Sequence, residues 1–159
     1  MPRIEGFTLI EAMFVVVILA ILTGLAAPSM REFMAAQRLK TPASDLYASL
    51  TLARSEAIKR NTAVEIVPNA TDWAQGWVVR PQSSTTNLRV QDAYPNVAIA
   101  ASQTGALTYR GNGRLSASAM TFRITAPGNA AVKMRCVAVD VSGRPAVRID
   151  TNTNQSACD

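Results

Sequence analysis

The chain's chemistry is concentrated in one carboxylate, one glycine–aromatic junction, two cysteines and a set of arginines. Glu11 stands near the start of an apolar run that opens at Phe7, directly after Gly6 and a short polar leader. From Ala12 to Met30 there is no charge. Wound as a helix at ~1.5 Å per residue, that run spans ~30 Å, the thickness of a bilayer core. An ionised group among lipid tails is costly, so Glu11 demands a partner, and a positive amine is a suitable one. Histidine is absent. That excludes a Ser-His-Asp triad, a histidine general base and a histidine-rich metal cluster. Cys136 and Cys158 without histidine make a poor zinc site. Gly111-Asn112-Gly113 lacks the further spacing of a phosphate loop and reads as a turn. The expectation is a protein that is not an enzyme and needs no cofactor.

A secretory signal places its apolar stretch before the cleavage site, whereas here the glycine comes first. Ala26-Ala27-Pro28 imitates a late cleavage site, but proline is a poor residue there. A plain signal anchor leaves both Glu11 and the Gly6-Phe7 junction unexplained. The order of leader, glycine, Phe7-Thr8-Leu9-Ile10-Glu11 and charge-free run resembles the class III signal of type IV prepilins and pseudopilins. The resemblance implies that a prepilin peptidase cuts after Gly6 and methylates the new N-terminal Phe7. It also implies that Glu11 pairs with the terminal amine of a neighbouring subunit during docking. The blander reading of Glu11 is a carboxylate tolerated close to the membrane interface.

These residues need elements to position them. Residues 1–6 read as the leader, 7–30 as a transmembrane and assembly helix, and 31–159 as a periplasmic head. Within the head, Leu39, Ala43, Leu46, Leu50, Ala53 and Ala57 recur at spacings of four and three, one apolar helical stripe. Arg38, Asp45, Ser49, Arg54, Glu56 and Arg60 fall mainly off it, and Glu56 and Arg60 have the favourable i,i+4 spacing. The expectation is one long helix from about Phe7 to Lys59, kinked at Pro28 and bent again at Pro42, with a break at Pro42 as the alternative. After Asn61 the pattern turns to period two. Residues 63–67, 76–80, 97–100, 120–126, 132–141 and 146–149 read as strands, separated by turns at Pro68-Asn69, Gly111–Gly113, Pro127–Asn129 and Ser142–Pro145. Gln82–Asn87 reads as an exposed loop. Strands following one helix argue for an α+β domain with antiparallel sheets lying on that helix.

Leu52–Arg60, the following strand, Trp73 with Gly76-Trp77-Val78-Val79, Arg110–Arg114, and Cys136 with Ser142-Gly143-Arg144 are similar to the GspH/FimT class of minor pilins and pseudopilins, FimU-like proteins included. The resemblance covers the whole chain. It implies the type IV pilin fold. It also implies partners in other minor and major pilins, the prepilin peptidase, the inner-membrane assembly platform and inner-membrane lipid, and a place in the inner membrane and the surface pilus. Trp73 and Trp77 read as core and rim packing rather than ligand stacking. An exported domain favours a Cys136–Cys158 disulfide, with two free thiols as the alternative.

Net charge is +5, and arginine forks suit carboxylates and phosphates. Beyond Gly105 seven basic residues face three aspartates. FimT-type minor pilins bind DNA through a Gly-Arg-x-Arg motif. In Gly143-Arg144-Pro145-Ala146-Val147-Arg148 the second arginine comes four residues after the first, not two. Arg114, Lys133, Arg135, Arg144 and Arg148 are the candidates for a DNA-binding surface, set against a solvated hairpin tip. Three roles stand side by side: a minor pilin in pilus assembly, a DNA receptor for natural transformation, and a GspH-like pseudopilin of a type II secretion system.

Overall fold

The computed structural model describes residues 7–150 and 158, with the backbone alone for 26–28. The chain divides into two units, Met1–Met34 and Ala35–Asp159. Residues 1–6, expected from the sequence to be a leader, lie outside the described residues.

Helix α1 runs from Leu9 to Arg60, 52 residues. Its start is capped: the Thr8 hydroxyl oxygen accepts the Glu11 backbone N–H at 3.3 Å. Threonine followed three residues later by glutamate has the composition of a capping box. Its end is equally defined. Asn61 takes a left-handed conformation at φ 50°, and the Thr62 N–H donates to the Ala57 carbonyl at 3.2 Å. The Asn61 N–H donates to the Ile58 carbonyl, also at 3.2 Å. This pair of bonds is a Schellman cap with asparagine in the usual glycine position. Lys59 and Arg60 complement the negative end of the helix dipole.

The backbone stays helical through Pro42, which is buried, although its missing N–H leaves the Arg38 carbonyl without an i+4 partner. Packing of the surrounding turns outweighs that loss. The Pro28 side chain lies outside the described residues. Among the described residues, no single helix is long and apolar enough to cross a membrane. Leu9–Leu25 and Ser29–Arg60 satisfy length and composition when taken together. In the first unit, Phe7, Leu9, Met13, Val16, Leu19 and Leu22 are all exposed, so this part of the helix is apolar on every side.

In the head, the stripe Leu39, Ala43, Leu46, Leu50, Ala53 and Ala57 is at most 1% exposed. It packs with two antiparallel four-stranded sheets in one core. The strands are β1 Val64–Pro68, β2 Trp77–Pro81, β3 Arg89–Gln91, β4 Ala98–Ala101, β5 Leu107–Tyr109, β6 Met120–Thr125, β7 Arg135–Val139 and β8 Pro145–Ile149. One sheet is ordered β3-β2-β1-β5 and the other β4-β6-β7-β8. Alternation fixes their faces. Val64, Ile66, Trp77, Val79, Leu107 and Tyr109 point inward from the first sheet. Met120, Phe122, Ile124, Val137 and Val139 do so from the second.

Two strands, β3 and β5, escape a reading by periodicity because three residues show almost no alternation. The expected strand over 132–141 contracts to Arg135–Val139, because Val132 closes a turn on Asn129. Ser49 is a correction. Expected off the apolar stripe, it is fully buried, because it lies on the helix face beneath Trp77. Its hydroxyl accepts the Trp77 indole N–H at 2.9 Å and donates to the Asp45 carbonyl at 2.8 Å.

Candidate assembly surface

The sequence-marked residues fall into three places. At the start of the chain, Phe7 and Glu11 are exposed. Glu11 stands in the first helical turn, where the dipole favours a negative charge. Thr8 is the residue that the sequence reading missed here. Its signal was the Thr-x-x-Glu spacing.

The flank of the head helix forms the second place. Arg60 donates to Glu56 at 2.6 Å, as the i,i+4 spacing predicts. That bond holds the Glu56 carboxyl below its usual range, with Lys59 adding to it and desolvation opposing it. Asp45 accepts the Tyr94 hydroxyl at 2.7 Å and an Arg89 N–H at 3.4 Å, which ties β3 and the following loop to the helix. Desolvation pushes the Tyr94 phenol up, and Asp45 pushes it further.

Farther along, Arg54 Nε donates to the Gly113 carbonyl at 3.0 Å. Gly113 in turn touches Gly143 in the β7–β8 turn. Gly143 has φ 82°, and a Cβ there would lie 2.1 Å from the Gly113 carbonyl oxygen. Only glycine fits this crossing of two turns. Tyr109 is buried beside it, and desolvation raises its phenol, with Arg54 lowering it and Asp140 raising it.

The third place is the sheet β4-β6-β7-β8. Cys136 and Cys158 are bonded, sulfur to sulfur, at 1.99 Å. Cys136 pairs with Arg123 on one side and Arg148 on the other, so all three share the face away from Val137 and the core. Arg144 stands elsewhere. It is in the turn before β8 and lines a groove with Tyr47, Arg54 and Ile58 of α1. The turn thus breaks the even spacing that would have put Arg144 and Arg148 on one face. Arg135 has the inward parity of Val137, half-buried, while Lys133 and Arg114 are exposed outside the strands. The fold brings Arg114 and Arg144 into the two turns that cross at Gly113 and Gly143, but Arg148 and Arg135 stand on opposite faces of the sheet, so the five basic candidates do not share one surface. Trp73 and Trp77 are core residues as expected: Trp73 meets Phe122 edge-on at 4.7 Å and Trp77 at 6.3 Å. Among the described residues no cluster of metal-ligating side chains occurs.

A helix bearing the stripe, covered by two antiparallel sheets and preceded by an apolar helix with a carboxylate in its first turn, is the type IV pilin architecture. The family model of the type II transport protein GspH matches residues 43–143. The chain belongs to the GspH family. The prokaryotic N-terminal methylation motif matches residues 1–27. Two crystal forms of the type IV minor pilin FimU from Pseudomonas aeruginosa share the fold. One has a TM-score of 0.64 at 24% identity, covering 76% of this chain and 98% of that one. The other has a TM-score of 0.63 at 25% identity, covering 72% and 99%. The minor pseudopilin EpsH of the Vibrio cholerae type 2 secretion system follows at a TM-score of 0.54 and 14% identity, covering 70% and 95%. No curated protein matches the chain. This GspH-family protein is therefore a minor pilin or pseudopilin with an N-methylation motif, a subunit type that works in pilus or secretion assemblies.

Proposed function

We propose that this GspH-family protein is a minor pilin of a type IV pilus, acting in assembly initiation or as a tip or fibre subunit. The observation that carries the reading is the likeness to minor pilin FimU across nearly all of that chain, closer in both fold and sequence than the likeness to pseudopilin EpsH. The leader is removed after Gly6 and Phe7 is methylated. The apolar helix holds the subunit in the bacterial inner membrane, with the head in the periplasm, until it is drawn into the fibre. Helices of other minor and major pilins then replace lipid around it, and Glu11 sets axial register by pairing with a neighbour's N-terminal amine. The work is assembly at an inner-membrane platform, not turnover.

Deleting the gene should reduce surface fibres while leaving exoprotein secretion intact. Loss of secretion with normal fibres would transfer the protein to the type II secretion reading. The DNA-receptor reading is the weaker one, because Arg144 and Arg148 occupy different faces. If it holds, duplex DNA binds weakly, with an affinity that falls steeply as salt rises. Arg148→Ala then flattens that salt slope, whereas Arg38→Ala does not.

A further inference from the structure

We propose that the edge of β8, which no other described strand pairs with, together with the groove between it and α1, receives an extended, carboxylate-bearing segment of another subunit as an added strand. The proposal rests on the assembly reading and names a surface for it.

β8 closes one end of its sheet. Past its end, the Asp150 N–H donates to the Met134 carbonyl at 3.1 Å. Residues that pair inward alternate along an antiparallel ladder. Ala146 and Arg148 therefore bond toward β7, and the backbone groups of Val147 and Ile149 point out of the sheet edge. Their side chains lie on the inward-facing parity of Val137, yet Val147 is 41% and Ile149 53% exposed. Among the described residues, the same two residues thus offer unpaired backbone groups and apolar side chains, the two things that strand addition uses. Across the groove, α1 presents Tyr47 and Ile58, both exposed. Of the six exposed large apolar side chains in the described part of the head, Val90 and Val141 are the only ones outside this set.

The occupant follows from charge. Arg54 and Arg144 line the groove, and neither forms an ion pair among the described residues. Asp140 is committed locally, accepting from the Ser142 hydroxyl and the Arg144 backbone N–H. An arriving segment with an aspartate or glutamate level with Arg144 would complete the site. The chain's own C-terminus suits it poorly. Residues 151–157 contain no carboxylate and no large apolar side chain, and the carboxylate of the segment, Asp159, directly follows Cys158, which is tethered to Cys136 on the opposite face. A second copy, carrying net charge +5, suits it less than an acidic partner.

The test places a photoactivatable benzoylphenylalanine at position 147 of the full-length chain in its native cell, with position 90 as control. Covalent products are sequenced by mass spectrometry. The expected product from position 147 joins an extended segment of a different subunit, with Asp or Glu within about three residues of the attachment site. Arg144→Glu should lower its yield at least about fivefold. Reversing the partner's carboxylate to lysine should restore the yield. A product with residues 151–159, a product with a second copy, or no product from chain present in the assembled fraction overturns the groove proposal and leaves the assembly reading intact. Chain that is cleaved after Gly6 but never enters an assembled fraction removes both.

Discussion

At the residue scale, two side chains with opposite surroundings carry the tests. Glu11 is exposed in an apolar helix, so its value lies in what it meets in the assembly. Glu11→Ala makes the segment more apolar. It should leave membrane insertion and cleavage after Gly6 unchanged while cutting the amount of subunit recovered in sheared fibres about tenfold or more, read by immunoblot. Normal recovery would end the register role. Ser49 is the reverse case, buried and fully used. Ser49→Ala leaves the Trp77 indole N–H without its acceptor in the core and should cost about 1–3 kcal/mol, measured as a lower urea midpoint of the detergent-solubilised chain. The two tyrosines set an alkaline limit. Burial raises both phenols in the fold, Asp45 raises Tyr94 further, and Arg54 partly offsets the rise at Tyr109. A raised folded value gives stability that is complete below the unfolded value of about 10 and is lost as pH climbs past it. Urea midpoints should therefore fall above about pH 10, and Tyr94→Phe should flatten that fall.

At the element scale, the helix was legible and the sheets only partly. Leu39 to Ala57 could be read because six apolar residues at helical spacing have one explanation. β6 could be read because Met120–Thr125 alternates cleanly. β3 and β5 could not, since Arg89–Gln91 and Leu107–Tyr109 are strands by virtue of their neighbours' hydrogen bonds. Ser49 was misplaced because a hydroxyl looks like a surface residue until the indole across the core is known. The Gly113–Gly143 crossing was equally hidden: each glycine read as an isolated turn, and only their contact explains both. That contact makes a prediction. Gly143→Ala should destabilise the head by at least about 2 kcal/mol, through the positive φ and the collision with the Gly113 carbonyl. Gly105→Ala, with positive φ but open space around it, should cost less. Thermal unfolding of the two variants side by side decides it.

For the whole molecule, the motif at residues 1–27 and the head at residues 43–143 point to the same subunit type from independent parts of the chain. The N-terminal part was legible because an apolar run that follows glycine and carries a single glutamate is a distinctive pattern. The basic C-terminal region was the least legible. A count of arginines says nothing about which way each strand and turn aims them, and the fold brings Arg114 and Arg144 into crossing turns while placing Arg135 and Arg148 on opposite faces of their sheet.

The Cys136–Cys158 bond has a mechanical consequence. Tension on a subunit held by its helix would reach the C-terminal region through β7, where the covalent link short-circuits the chain. The 22-residue separation between the two cysteines corresponds to ~75 Å of fully extended chain. An oxidised head stretched between its first residues and Asp159 should therefore yield a contour length ~75 Å shorter than the reduced form, as single-molecule force spectroscopy would record. The last strand of such a head can be pried away from its sheet, but its final segment can never be paid out as slack.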